Sequence, residues 1–241
     1  MTILSIPTQL NEQAEKERLR KELSRLLAED WSVAKDHIYI AACDAVHKND
    51  LPDRTILREH RRSGLVEYFR IVVPGDTGAL SQIVTDDECN FWDISYEELH
   101  EAAVTNTAKC AVLHPLEDAD VSSRTKAVFD KVYRLTVSND GGCHGAGAIF
   151  LPNEKNPLST LDEPYAFIPL SVDSWLCVPQ ENFSPRDLLM LNLQNNAQLF
   201  EEDPASILST GVFLYVPNVP ELADDPLVKV LDVRVGEEED E

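Results

Sequence analysis

The sequence predicts an α+β fold in which flanking helices pack on a mixed, mainly antiparallel central sheet. Three observations support this prediction. The stretch Tyr133–Val178 contains several strand-like runs in succession, which we interpret as the central sheet. The run Leu65–Val73 is largely apolar on both alternating faces, as in an internal strand. Helix start signals occur at Ser95 and at Ser184.

A chain of 241 residues with 43% hydrophobic residues can bury a sizeable core. No internal repeat and no long low-complexity linker divides it. We therefore predict one α+β domain over residues 1–236, with an N-terminal helix at 8–29, a core at 65–216 and a C-terminal strand at 227–235. Residues 237–241 are all acidic and predict a disordered tail.

The net charge is strongly negative, because 43 acidic residues stand against 21 basic ones and give a formal charge of −22 at pH 7. The last five residues contribute −5, so −17 belongs to the rest of the chain. Such a charge repels nucleic acids and anionic membranes and argues against direct nucleic-acid binding. It serves solubility, and it also suits a partner with a basic surface.

The cysteines and the apolar runs predict a cytoplasmic protein. Five cysteines are widely spaced and contain no C-x-x-C pair, which favours reduced thiols over a disulfide framework or a cysteine zinc site. No apolar run approaches the roughly 20 residues that span a bilayer. The segment Met1–Pro7 lacks the basic start and apolar core of a secretory signal.

The clearest helix runs from Thr8 to about Glu29. Oppositely charged side chains stand four residues apart on its flanks, and its leucine stripe requires a partner surface. Packing on the rest of the domain is one interpretation. A two-helix dimer seam through Leu19 and Leu23 is the alternative, although the stripe is short for a coiled coil. The stripe consists of Leu19, Leu23, Leu26 and Leu27.

Between this helix and the first clear strand the pattern is ambiguous. Ile38–Val46 suits either a buried helix or a strand, and its short length prevents a choice. Thr55–Ser63 and its flank carry the basic cluster of the sequence, which we interpret as a solvated helix face. An anion site is the alternative, without a glycine loop to support it. The cluster consists of Arg54, Arg58, His60, Arg61 and Arg62.

Two more helices and several strands follow from local signals. Ser95 and Glu98 form a capping box that starts a helix through about Thr107. Ser184 as N-cap and Pro185 at the first position start another helix. Its predicted apolar stripe consists of Leu189, Leu193, Ala197 and Phe200. The remaining predicted strands are Leu80–Thr85, Val212–Val216 and Leu227–Val235.

The turn after Tyr133–Ser138 holds the Cys-His pair Cys143 and His144. Neighbours on an extended segment point to opposite faces, so a catalytic thiol here would need a base from elsewhere in the chain. The surrounding glycines fit a hairpin turn, followed by the strand-like run Ala148–Leu151. We interpret the segment as structural, and a cysteine hydrolase using Cys143 is the alternative. The candidate bases are His37, His47, His60, His100 and His114.

Acidic side chains form two clusters in the middle of the chain. The first cluster, Asp86 to Glu88, lacks the loop pattern of a calcium site. In the second cluster, Glu97 to Glu101, His100 is the single histidine, whereas a zinc site prefers a pair. No metal or other cofactor is predicted, and we predict a non-enzyme. The candidate interaction residues are Asp86, Asp87, Glu88, Glu97, Glu98 and Glu101, together with Leu19 and Leu23.

Several short segments between Leu65 and Val216 form a set of sequence signatures. They are Ser95–Leu99, Thr105–Thr107, Leu135–Asn139 with Gly145-Ala146, Phe167–Ser171 with Val178-Pro179, Asn192–Asn196, Leu208-Ser209 and Val212–Tyr215. These segments resemble an uncharacterised bacterial family, a domain of unknown function often found in cytosolic proteins of mobile genetic elements. The resemblance implies an α+β cytosolic protein and transfers no activity to any residue. After the Pro-Ser turn, where the family usually has a second serine or a charged residue, this chain has Val172, Asp173 and Ser174.

Together these observations predict an acidic binding protein that engages a protein partner with a basic surface. A regulatory or anti-defence protein of a mobile element fits this prediction, and imitation of DNA charge is its sharper form. Two alternatives remain, the cysteine hydrolase and a structural protein that dimerises through the N-terminal helix.

Overall fold

The computed structural model describes residues 7–76, 78–116, 131–137, 145–215 and 227–231, and it confirms the α+β prediction. The helices are α1 (Pro7–Ala28), α2 (Trp31–Ala34), α3 (Asp86–Trp92), α4 (Tyr96–Cys110) and α5 (Pro185–Glu202). The strands are β1 (Ile38–Asp44), β2 (Leu57–His60), β3 (Leu65–Pro74), β4 (Ala79–Ile83), β5 (Ala111–Pro115), β6 (Tyr133–Val137), β7 (Tyr165–Ser171), β8 (Ser174–Pro179), β9 (Val212–Tyr215) and β10 (Leu227–Leu231).

The strands form two sheets rather than one, and all the strand pairs described in them are antiparallel. In the first sheet β3 is central. Strand β1 pairs along one edge of it, while β2 and β4 follow one another along the other edge. The ambiguous run Ile38–Val46 is therefore a strand over most of its length, because β3 offers it an apolar partner. The second sheet has the order β10-β9-β7-β8-β6-β5.

Helix α4 covers the outer edge of β1. The hydroxyl of Thr107 accepts a hydrogen bond from the backbone N–H of Ile40, and the amide of Asn106 donates to the carbonyl oxygens of Lys35 and Ile38. Both helix side chains are buried. Two backbone groups on the outer edge of β1, the N–H of Ile40 and the carbonyl of Ile38, are thus satisfied by side chains of the neighbouring helix.

A buried 3₁₀ segment replaces one predicted strand. The run Ala148–Leu151 is not a strand, since Gly145–Phe150 forms 3₁₀ turns between β1 and β6. A Cβ atom at Gly147 would lie 2.1 Å from the carbonyl oxygen of Ile40, so the close approach of two backbones requires glycine here. The glycine-rich segment that was predicted as a hairpin, residues 139–144, lies outside the described residues.

The main hydrophobic cluster extends from α1 to β10. It contains Leu19, Leu23 and Leu26 from the N-terminal helix and Leu227 from the last strand. Helix α1 lies against β3 and β4. The predicted helix over 8–29 is therefore confirmed, and its leucine stripe packs on the rest of the chain.

A buried polar cluster joins the two sheets. The carboxylate of Asp44, at the end of β1, accepts hydrogen bonds from the Ser209 hydroxyl at 2.5 Å and from Nζ of Lys229 at 3.0 Å. The Lys229 ammonium also lies 5.5 Å from the centre of the Phe213 ring. Asp44 is 4% exposed, so its charge is stabilised by these donors rather than by water.

Helix α5 begins at the predicted N-cap, where the Ser184 hydroxyl accepts from the backbone N–H of Asp187. The fully buried residues of this helix are Leu188, Asn192 and Asn196. Of the predicted stripe, Leu189 is half-buried against the core on the second sheet, so the prediction of the buried face was wrong for most of the stripe. The amide of Asn192 donates to the carbonyl oxygens of Ser209 and Gly211, and Asn196 donates to that of Ser209. Phe200, predicted in the buried stripe, is 68% exposed.

The basic cluster lies on a strand and a turn, not on a helix. Arg58 and His60 are in β2, and Arg61 and Arg62 are in the turn that leads to β3. The polar run forms a strand because the adjacent β3 offers it hydrogen-bonding partners. Among the described residues, no helix is long and apolar enough to cross a membrane.

Candidate functional site

The acidic residues predicted for interaction lie on α3 and α4, and Asp93, which was not predicted, lies in the turn between these helices. From Asp86 to Ala108 the sequence contains seven carboxylates and neither lysine nor arginine. Six of the seven belong to exposed residues, and Glu88 is half-buried. We call this set the acidic surface. It consists of Asp86, Asp87, Asp93, Glu97, Glu98 and Glu101, with the exposed ring of Phe91 between its two parts.

Hydrogen bonds at the helix N-termini fix part of this surface. Glu98 accepts from the backbone N–H of Ser95, whose hydroxyl accepts in turn from the backbone N–H of Glu98, so the predicted capping box is confirmed. Glu88 forms the same arrangement with Thr85 and starts α3, a helix that the sequence analysis did not predict. These two carboxylates therefore have structural roles in the caps.

The other acidic side chains differ in how far they are neutralised. Arg54 pairs with Asp87 at 2.5 Å and lies 3.8 Å from Asp86. Among the described residues, none forms an ion pair with Glu97 or Glu101, which stand four apart on α4. Like charges at this spacing cost a helix about 0.2–0.5 kcal/mol. The α4 half of the acidic surface is thus the half that offers uncompensated charge.

A cleft of about 370 Å³ opens beside the acidic surface, between α2 and α4. The indole of Trp31 lines it, and the Trp92 ring lies 5.6 Å behind that indole. The Nε1 group of Trp92 donates to the carbonyl oxygen of Glu29, which ties α3 to the end of α1. The charged side chains lining the cleft are Asp36, Glu98 and Glu101, with Lys35 and Lys109.

A second polar cluster, which the sequence analysis missed, lies beneath α4. Glu67 in β3 is 1% exposed, and its Oε2 lies 3.1 Å from Nε2 of His60. Its Oε1 lies 3.4 Å from Nε2 of His100, an ion-pair distance longer than a good hydrogen bond. His60 stacks on Phe150, and His100 stacks on Tyr96.

The electrostatics of this cluster follow from burial and from the two imidazoles. Burial raises the pKa of Glu67, but His100 and His60 favour its charged form, and the net result is a pKa below its ordinary value. Burial and then the charge of Glu67 raise the pKa of Tyr96 to about 12. His100 is 27% exposed and is the member of the trio that reaches the surface. The cluster anchors α4, and hence the acidic surface, to the sheet.

The other predicted site residues fall into two groups. Leu19 and Leu23 are 7% and 8% exposed in the main core, so they present almost no surface to another molecule. Cys143 and His144 lie outside the described residues. Of the five candidate bases for Cys143, His60 and His100 are engaged with Glu67, and His47 lies 3.1 Å from Asp50.

Burial shifts the thiols of three described cysteines, Cys43, Cys89 and Cys177, towards the protonated form. Burial raises the pKa of the Cys43 thiol to about 12 and that of Cys89 to about 11, and it raises the pKa of Cys177 as well. Thiols held protonated in this way are poor nucleophiles. Within the described ranges, no group of three or more His, Cys, Asp or Glu residues is placed to hold a metal ion.

Comparisons of this chain with protein-family models, with curated proteins and with solved structures gave no match.

Proposed function

We propose that this chain is a non-enzymatic acidic binding protein that engages the basic surface of a protein partner through α3 and α4. The observation that carries the proposal is the acidic surface itself, six exposed carboxylates on a stretch of sequence without a lysine or arginine. A solvated acidic face alone would serve solubility. The aromatic groups beside this face, and its anchoring to the sheet, favour binding.

Phe91 supplies the apolar contact that a charged surface lacks. Its side chain is 62% exposed at the end of α3. Aromatic residues dominate the binding energy of many interfaces, and surrounding polar residues exclude water from them. An exposed ring flanked by Asp87 and Asp93 in sequence therefore suits a partner that presents apolar and basic groups together.

The cleft beside α4 suits a basic side chain of that partner. A guanidinium or ammonium group is attracted to the face of an aromatic ring and to carboxylates, and the Trp31 indole, Glu98 and Glu101 supply these groups. Lys35 and Lys109 line the same cleft, so its five charged side chains, three carboxylates and two ammonium groups, have a net formal charge of −1. The cleft would fix the orientation and register of the bound partner, and the acidic surface would attract the partner's basic surface over a longer range.

The DNA-mimic form of the proposal adds one requirement. The partner's basic surface would then be its DNA-binding groove, so DNA and this chain would compete for it. A regulatory or anti-defence protein of a mobile element would act in this way. Simultaneous binding of DNA and of this chain to the partner would rule out the mimic form and leave the binding proposal intact.

The test uses a labelled arginine-rich peptide as the probe and fluorescence anisotropy as the measurement. The test variant changes Glu97 and Glu101 to Gln together with Phe91→Ser, which removes two charges and the ring. The matched control changes Glu17 and Glu201 to Gln, which removes two charges elsewhere. We expect about a tenfold loss of affinity in the test variant, since one lost hot-spot residue costs about 1.4 kcal/mol or more.

Salt provides the second readout. Affinity for the peptide should fall steeply between about 0.05 and 0.3 M NaCl, because the Debye length shortens over this range. Equal loss of affinity in the test and control variants would show that net charge alone attracts the peptide, and would overturn the proposed surface. A flat salt response would contradict the electrostatic basis of the proposal.

A further inference from the structure

Helix α5 is fixed to its own sheet by one face and leaves its apolar stripe in solvent. The buried face uses Leu188, Asn192 and Asn196, and the two asparagines bind backbone carbonyl groups of the 209–211 loop. Away from this face, Met190 is 52% exposed and Phe200 is 68% exposed. The fold therefore does not need these two side chains for its own packing.

The spacing of the exposed residues is that of a helix-pairing seam. Successive positions stand four, three, four and three residues apart, the repeat that keeps one stripe facing a partner helix. Four of the five residues are exposed, and Leu193 is half-buried. The seam consists of Arg186, Met190, Leu193, Ala197 and Phe200.

We propose that this seam is the interface with a second copy of this chain, in which the two α5 helices pair antiparallel across a two-fold axis. The centre of the seam is Leu193, which would meet Leu193 of the second copy. In a two-fold interface the same surface of both copies is used, so each residue must pack well against the residue that the two-fold axis places opposite it.

The matches are complementary in size and charge. With the two-fold axis at Leu193, Met190 of one copy lies close to Ala197 of the other along the helix pair. A long side chain then packs against a small one. The same axis also sets Arg186 level with Phe200 and beside Glu201, where the guanidinium meets an aromatic ring and a carboxylate. A parallel pairing would place Arg186 against Arg186 and Phe200 against Phe200, and it would lose this charge complementarity.

The dimer is expected to be weak. The seam spans only 15 residues of one helix, and each copy carries a net charge of −22, which opposes association. We expect a dissociation constant on the order of 0.1 mM near physiological salt, which corresponds to about 5.5 kcal/mol. Screening of the overall repulsion should tighten the dimer as salt rises.

Sedimentation equilibrium over about 0.01 to 0.5 mM protein, on either side of the expected constant, measures the association. Phe200→Ser should raise the dissociation constant at least about tenfold, because the substitution removes the ring from both copies of the dimer. Phe91→Ser is the matched control, since this ring is equally exposed but lies on α3. It should leave the dissociation constant unchanged.

A charge exchange tests the antiparallel register. Arg186→Glu should weaken the dimer, and adding Glu201→Arg should restore it, because the pairs then form with reversed sign. All these side chains are exposed, so circular dichroism should show the fold of each variant unchanged. A chain that sediments as a monomer at every concentration would overturn the proposal. A dimer that survives Phe200→Ser unchanged, or that the charge exchange fails to restore, would also overturn it.

Discussion

The carboxylate of Glu67 lies 3.1 Å from Nε2 of His60 in the interior of the first sheet. His100 approaches the other carboxylate oxygen from α4. A buried charge is costly unless it is paired, so the three side chains hold β2, β3 and α4 in one arrangement. The α4 half of the acidic surface therefore depends on the buried cluster of His60, Glu67 and His100 that lies beneath it.

The first prediction concerns acid stability. The pKa of Glu67 is lowered in the folded protein, so its contribution to stability is present above its unfolded value and is lost as pH falls through the folded value. His100→Ala removes one imidazole, so the pKa of Glu67 rises towards its unfolded value. The variant should be less stable than the wild type at neutral pH. The loss of stability that begins near the unfolded pKa in both proteins should be smaller in the variant and complete at a higher pH. Urea unfolding followed from about pH 7 to pH 3 measures this shift. His47→Ala, which removes an exposed histidine, should leave the profile unchanged.

The second prediction concerns the link between the sheets. Lys229→Met leaves the buried carboxylate of Asp44 with the Ser209 hydroxyl and the backbone N–H of Val46. The expected loss is about 1.5–3 kcal/mol of unfolding free energy, the usual contribution of a hydrogen bond to a charged group. Lys131→Met removes an exposed pair with Glu163 and should change stability very little. Equal effects in chemical denaturation would show that the Asp44 pair has no special role.

The third prediction concerns the close approach of Gly147 to β1. Gly147→Ala places a methyl group against the Ile40 carbonyl, and neither backbone can move freely in the core. We expect a loss of about 3 kcal/mol in unfolding free energy. Gly78→Ala is the control, since a Cβ atom there meets nothing within 4 Å. A mild effect at Gly147 would mean that the 3₁₀ segment packs less tightly than described.

The fourth prediction concerns the asparagine face of α5. Asn192→Asp replaces an amide that donates to two carbonyl groups with a carboxylate that repels them. The expected cost at neutral pH is about 3 kcal/mol or more. It should shrink as pH falls below about 5, because the protonated acid can donate one hydrogen bond. Gln194→Glu introduces the same charge on the exposed side of α5 and should cost little.

Local signals in the sequence were sufficient for the elements that depend on local chemistry. The capping box at Ser95 and the N-cap at Ser184 start helices where they were predicted. The alternating run that became β3 was also assigned to the sheet interior, since both of its faces are apolar. In each case the residues that decide the structure stand within a few positions of one another.

Tertiary contacts decided the features that were missed. The predicted apolar stripe of α5 did not include Asn192 and Asn196, but carbonyl groups of the 209–211 loop accept hydrogen bonds from their amides and make their burial favourable. The Glu67 cluster requires the register of β2 on β3 and the packing of α4, neither of which periodicity encodes. Gly145–Phe150 is apolar and short, and such a run suits a strand or a buried turn equally.

The covered margin of β1 has a consequence for how this protein behaves at high concentration. An exposed edge strand can pair with an extended segment of another molecule, and repeated pairing of this kind leads to fibrils. Here Thr107 and Asn106 already occupy the positions that an incoming chain would need. Crowded solutions of this protein are thus protected at β1 against growth by strand addition.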